Sequence, residues 1–169
     1  AGLPEAALAM LNARYELAYG VFGAEAARTG REPDVCTSFG LLAAATRAGR
    51  PLMGQNWDWL HSVVGHTFVM RVRRRDKPSF VGFTEAGIAG CKMGVNEAGI
   101  GLCVNGLVSD RDGRSPWEKP FHVRCREILD ADGFAAALSA VVATDRVGSA
   151  NFLIGHADDE TVNLEAAPD

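Results

Sequence analysis

No apolar run in this chain approaches the roughly 20 residues that a membrane-spanning helix needs. The opening residues, AGLPEAALAM, lack the basic-then-apolar layout of a secretory signal, while a signal removed ahead of residue 1 stays open. The four cysteines, Cys36, Cys91, Cys103 and Cys125, form no Cys-x-x-Cys pair. That argues against a disulfide framework in a chain of this size and favours a reducing compartment, the cytoplasm. His61, His66, His122 and His156 have no i,i+4 partner and no cysteine at ligand spacing, so no metal is expected. Positive charge is not in excess: 17 Lys and Arg stand against 21 Asp and Glu, a net charge of −4. Neither nucleic acid nor an anionic membrane is therefore an expected partner. The one basic run, RVRRRDK at 71–77, flanks a turn and reads as a solvated hairpin tip. No glycine cluster matches a phosphate loop, and there is no repeat or low-complexity segment.

What is present reads as one domain over residues 1–169, with 47% hydrophobic and 22% charged residues and enough length for a sizeable core. Residues 5–28 read as helix, with Ala7, Leu8, Leu11, Tyr15 and Ala18 near one face and Gly20 as a stop. TGREPD at 29–34 is a turn-rich linker. From Cys36 the pattern changes to hairpins: CTSFGLLAAAT with LMGQNWDW, HTFVMRVR with SFVGFT, and CKMGVN with GIGLCVNGL. FHVRCREILD and DGFAAALSAVVAT read as two short helices, the second capped by Asp132, and NFLIGHA with TVNLEAA as a last hairpin. This order predicts an α+β fold, antiparallel sheet with helices packed on it. The apolar runs are continuous enough that one sheet should be covered on both faces.

Cys36 stands where helix and linker hand over to sheet, beside Pro33 and Asp34. A buried thiol behaves as a small hydrophobe, but a reactive one needs access and help in reaching the thiolate. If the bond before Cys36 were cut, its own α-amine would titrate near ~8 and could serve as the base. Asp58, in GQNWDW, lies across one short turn from Cys36, and antiparallel pairing should bring the two together. Its carboxylate would then orient that amine. Trp57 and Trp59 read either as sheet packing or as walls of a substrate pocket. Asn105 is an amide in an otherwise apolar strand, where it needs a partner. It could donate to an oxyanion or simply bond to backbone. Asn96, next to a turn, reads as structural, as do Arg14 and Glu16, expected to be partners of the sheet.

The ordered set LNARYELAYG, CTS, GQNWDW, TEAGI, GVNEAGIGLCVNGL and ANFLIG…VNLEAAPD resembles the acyl-CoA:6-aminopenicillanic acid (isopenicillin N) acyltransferase family. That family belongs to the N-terminal nucleophile hydrolases, alongside the choloylglycine hydrolases. The resemblance implies a four-layer αββα sandwich, of which this chain is an incomplete copy. It also implies self-cleavage at Val35–Cys36, an acyl-thioester on Cys36, Asp58 beside the nucleophile and Asn105 near the oxyanion. Two departures stand out. Val35 takes the place of the glycine that precedes the cysteine in the fungal pattern, and a later asparagine and arginine have no match before Asp169.

The expected function is a self-processing cysteine amidohydrolase or acyltransferase acting on linear amides, needing no cofactor. Its partner would be a small-molecule amide or acyl donor. Association with a further C-terminal part, or with a second copy, is left open. The first alternative is a non-catalytic, acyl-amide-binding relative of the same fold. The second is an uncleaved cysteine hydrolase with His61 or His66 as base.

Overall fold

The computed structural model describes residues 2–21 and 36–169. The end of the helix expected to reach residue 28, the linker at 29–34 and Val35 lie outside the described residues. Two antiparallel sheets are formed. The first is a hairpin of β1 (Thr37–Leu41) and β2 (Leu52–Asn56). The second is a meander of β3 (Thr67–Val72), β4 (Phe80–Glu85), β5 (Met93–Asn96), β6 (Ile100–Gly106), β7 (Ala150–His156) and β8 (Glu160–Ala166), in that spatial order. Each of the four hairpins expected from alternation and turn residues is present.

The period of two along β6 sorts its side chains between two neighbours. Ile100, Leu102 and Val104 join Phe152 and Ile154 of β7 in the main core. Against them pack α2 (Phe121–Leu129), through Cys125, Ile128 and Leu129, and α3 (Phe134–Val142), through Ala137 and Val141. Gly101, Cys103 and Asn105 face the other way, toward the β1–β2 hairpin. A Cβ on Gly101 or Gly155 would stand 2.7 or 2.5 Å from Met53 Sδ, so their bare backbone is what lets the hairpin settle on the sheet. Helices, a six-stranded sheet and a two-stranded sheet are thus stacked in that order, a mixed α/β arrangement with antiparallel sheets and few helices.

Several local expectations need correction. The first helix, α1 (Glu5–Asn12), buries no residue, and Leu8 is 40% exposed. Helical structure resumes beyond Ala13 and widens into a π-helical turn over Glu16–Val21, so Gly20 lies inside it rather than ending it. The burial begins at Tyr15 and Glu16. Tyr15 donates to the Ser149 carbonyl, and Glu16 accepts the Phe121 N–H at the head of α2 rather than a group on the sheet. Asp132 does not cap α3: Gly133 holds that position and no side chain bonds the first turn. The basic run does form an exposed hairpin tip, with Arg71, Arg73, Arg75 and Lys77 exposed, and Arg74 and Lys77 also reach Asp130 at the end of α2, at 3.3 and 3.4 Å.

Candidate active site

Cys36 immediately precedes β1 and is half-buried. The register Thr37↔Asn56 carries the chain so that Cys36 Sγ lies 3.8 Å from the carbonyl oxygen of Asp58. Antiparallel pairing across one turn is the reason the two residues meet. The contact is with the Asp58 backbone, while its side chain is exposed. Two hollows border Cys36. One, of about 710 Å³, is lined by Ser38, Asn105, Asn151, Asn163 and Glu165 among others. The second, of about 30 Å³, has walls of Tyr15, Trp57, Trp59, Lys92 and Phe121. Neither His61 nor His66 borders either hollow.

Asn105 shares in both hollows and sits in a line of amides crossing the sheet. Gln55 Nε2 donates to its Oδ1 at 3.3 Å. Its Nδ2 donates to Ser38 Oγ at 2.8 Å and to Asn151 Oδ1 at 2.9 Å, and Asn151 Nδ2 donates to Asn163 Oδ1 at 2.7 Å. The half-buried amide is therefore fully bonded, as its place in an apolar strand requires. Asn96 is also structural: its Nδ2 holds the carbonyls of Leu129 and Ala131 while its Oδ1 accepts from Ile100.

The two indoles stack with centroids 6.2 Å apart, and Trp57 meets Phe83 edge-on at 5.4 Å. Behind them lies a charged cluster. Arg14 makes a two-pronged pair with Glu85 at 2.8 and 2.7 Å, as expected of a sheet partner, and Lys92 reaches the same carboxylate at 3.4 Å. The Lys92 ammonium sits 6.0, 5.9 and 5.8 Å from the rings of Trp57, Trp59 and Phe121. Burial works to raise the Glu85 pKa, but the Arg14 hydrogen bonds and the Lys92 charge outweigh it and the net direction is down. Burial lowers Lys92, the Glu85 charge opposing.

Burial also separates the thiols. Cys91 and Cys103 are pushed up to about 11 and Cys125 to about 12, so all three remain protonated at neutral pH. Cys36 is half-buried where the other three are buried, and it borders the hollow of about 710 Å³.

Sequence reasoning brought Cys36, Asp58, Asn105, Trp57 and Trp59 together, and the structure places all five in one neighbourhood. It missed Ser38, Gln55, Asn151, Asn163, Lys92 and His122. Asn151 and Asn163 carry the signal that exposed Asn105, an amide among apolar strand residues; the rest depend on contacts across the fold.

Fold and site define an antiparallel α+β protein with an accessible cysteine at the head of a hairpin and a bonded amide line beneath it. More specifically, the model of the acyl-coenzyme A:6-aminopenicillanic acid acyl-transferase family matches residues 45–169, and the chain belongs to that family. Membership carries the acyltransferase class of enzyme. The match includes Asp58 and Asn105 and begins after Cys36. A search of curated proteins finds no match for this chain.

Proposed function

We propose that the protein is a self-processing cysteine amidohydrolase or acyltransferase acting on linear amides, with Cys36 as nucleophile in a four-layer αββα sandwich of the N-terminal nucleophile type. In the first step Cys36 Sγ attacks the Val35 carbonyl and displaces the Cys36 nitrogen. Water hydrolyses the resulting thioester, leaving a carboxylate on Val35 and a free α-amine on Cys36. That amine, titrating near ~8 in model compounds, then takes the proton of its own thiol, with the Asp58 carboxylate holding it in place.

In the second step the thiolate attacks a substrate carbonyl in the larger hollow. The carbonyl oxygen gathers negative charge and accepts from Asn105 Nδ2, which exchanges its bond to Ser38 for one to the oxyanion. The amide nitrogen leaves with a proton, and the acyl group passes to water or to an amine. Trp57 and Trp59 form the apolar wall behind Cys36. No cofactor enters this chemistry. The observation that carries the reading is the Cys36 thiol bordering a cleft of about 710 Å³ that ends on Asn105.

Intact mass spectrometry tests it. A species beginning at Cys36, and an acyl adduct on Cys36 after treatment with a p-nitrophenyl ester, are expected; Cys36→Ala should show neither. An uncut wild-type chain with no adduct defeats the proposal. One observation favours the non-catalytic, acyl-amide-binding alternative: both protons on Asn105 Nδ2 are already engaged. Saturable binding of an acyl amide with no turnover and no adduct would decide for it.

A further inference from the structure

Gln55 plays no part in the chemistry above, yet both atoms of its amide are bonded to the backbone of one residue, Val104. Nε2 donates to the Val104 carbonyl, and Oε1 accepts the Val104 N–H at 3.2 Å. Pairing of β5 with β6 stops at Met93↔Cys103, so the side chain supplies the next rung where a strand no longer does. A backbone carbonyl can only accept and a backbone N–H can only donate. The oxygen and nitrogen of a side-chain amide are ordinarily interchangeable in an assignment, but Val104 admits a single orientation of Gln55.

That orientation passes along the line. Because Gln55 Nε2 donates to Asn105 at 3.3 Å, Asn105 must turn its oxygen toward Gln55 and its nitrogen toward Ser38 and Asn151. Asn151 then presents oxygen to Asn105 and nitrogen to Asn163. We infer that Gln55 is a positioning residue: anchored on Val104, it sets the polarity of the amide line so that Asn105 offers an N–H, not an oxygen, to the cleft beside Cys36. Its catalytic consequence rests on the reading of Cys36 as nucleophile and Asn105 as oxyanion donor. With the polarity reversed, a lone pair would face the growing negative charge and oppose attack.

Three variants test this. Gln55→Glu keeps the side-chain length and can still accept from Val104 but cannot donate. Asn163→Lys, at the exposed end of the line, offers a donor where Asn151 needs an acceptor and leaves the Val104 contacts alone. Asn163→Asp keeps the acceptor and serves as control. The readouts are the p-nitrophenolate burst from p-nitrophenyl butyrate, as Cys36 is acylated, and the NMR signals of the Asn105 side-chain NH2. The acylation rate should fall about tenfold or more in Gln55→Glu and by a smaller factor in Asn163→Lys, with KM changed less than about twofold. The Asn105 signals should shift in the two polarity variants and stay in place in Asn163→Asp, the control for the line's polarity alone. Thermal melts establish folding; if Gln55→Glu does not fold, Asn163→Lys decides. Wild-type rates and unmoved Asn105 signals in the folded variants overturn the inference. A wild-type enzyme that never acylates at Cys36 defeats the nucleophile reading instead; the polarity then stands or falls on the Asn105 signals.

Discussion

Lys92 and His122 meet inside the core, Nζ to Nε2, at 2.7 Å. Lysine can only donate there, so Nε2 accepts, and Nδ1–H is left to donate to the Asn12 carbonyl at 3.0 Å. The imidazole is thus a neutral bridge between an ammonium and the first helical segment. Burial, with the Lys92 charge adding to it, pushes its pKa down to about 3.

This predicts acid sensitivity. His122 titrates near its ordinary value of 6.5 once unfolded and at about 3 when folded, so the unfolded chain binds the extra proton between those values. Stability should therefore fall as pH drops from 6.5 toward 3, by up to about 1.4 kcal/mol per pH unit from this group. Glu85, held below its ordinary value, loses stability in the same direction as pH falls past 4.5. Glu16, raised by burial, works against both. Urea unfolding at several pH values should show a shallower decline for His122→Gln than for wild type; equal slopes would reject the assignment.

Thiol labelling should discriminate among the cysteines. Iodoacetamide added to the native protein should modify Cys36, while Cys91, Cys103 and Cys125, buried and held as thiols, should react only after denaturation. Peptide mass mapping reads the sites, and native labelling of Cys125 ahead of Cys36 would contradict the burial order.

Two glycines should differ in what they tolerate. A Cβ on Gly90 would lie 2.1 Å from the His122 carbonyl oxygen, a backbone atom with nowhere to move. A Cβ on Gly155 would lie 2.5 Å from Met53 Sδ, part of a flexible side chain. Gly155→Ala should cost about 1–3 kcal/mol and Gly90→Ala more. Shortening Met53 to Ala should recover part of the Gly155→Ala loss alone. Denaturant midpoints measure all three.

Cleavage at Val35–Cys36, if it occurs, should leave the two pieces bound. Arg14 pairs with Glu85, Tyr15 with the Ser149 carbonyl, and Asn12 Oδ1 with the Ala89 N–H at 2.7 Å, all across the cut. The pieces should co-elute in native gel filtration and separate only in denaturant. Release of the N-terminal piece under native conditions would show that these contacts do not hold it.

The hairpins were legible because period-two alternation and turn residues are local properties of the chain. The Cys36–Asp58 approach was legible for the same reason, since one short turn separates their strands. Asn105 announced itself as an amide among apolar neighbours. Where the first helix changes form was not legible: Gly20 looks like a stop, but the bonds of Tyr15 and Glu16 to Ser149 and Phe121 anchor a π-helical turn that carries the chain past it. Asp132 looked like a cap because of its side chain, but the backbone placed Gly133 in that slot.

By itself, then, the sequence determined the antiparallel order of strands, the two central helices and the meeting of Cys36 with Asp58, because alternation, turn chemistry and hairpin length act between near neighbours. Only the tertiary structure decided that Lys92, His122, Glu85 and Arg14 share one interior cluster, and that Gln55 completes the edge of β6 and aligns Asn105. Those outcomes depend on which polar groups packing leaves facing one another inside the fold. There each must find a partner or bear the cost of desolvation, and the partners come from distant parts of the chain.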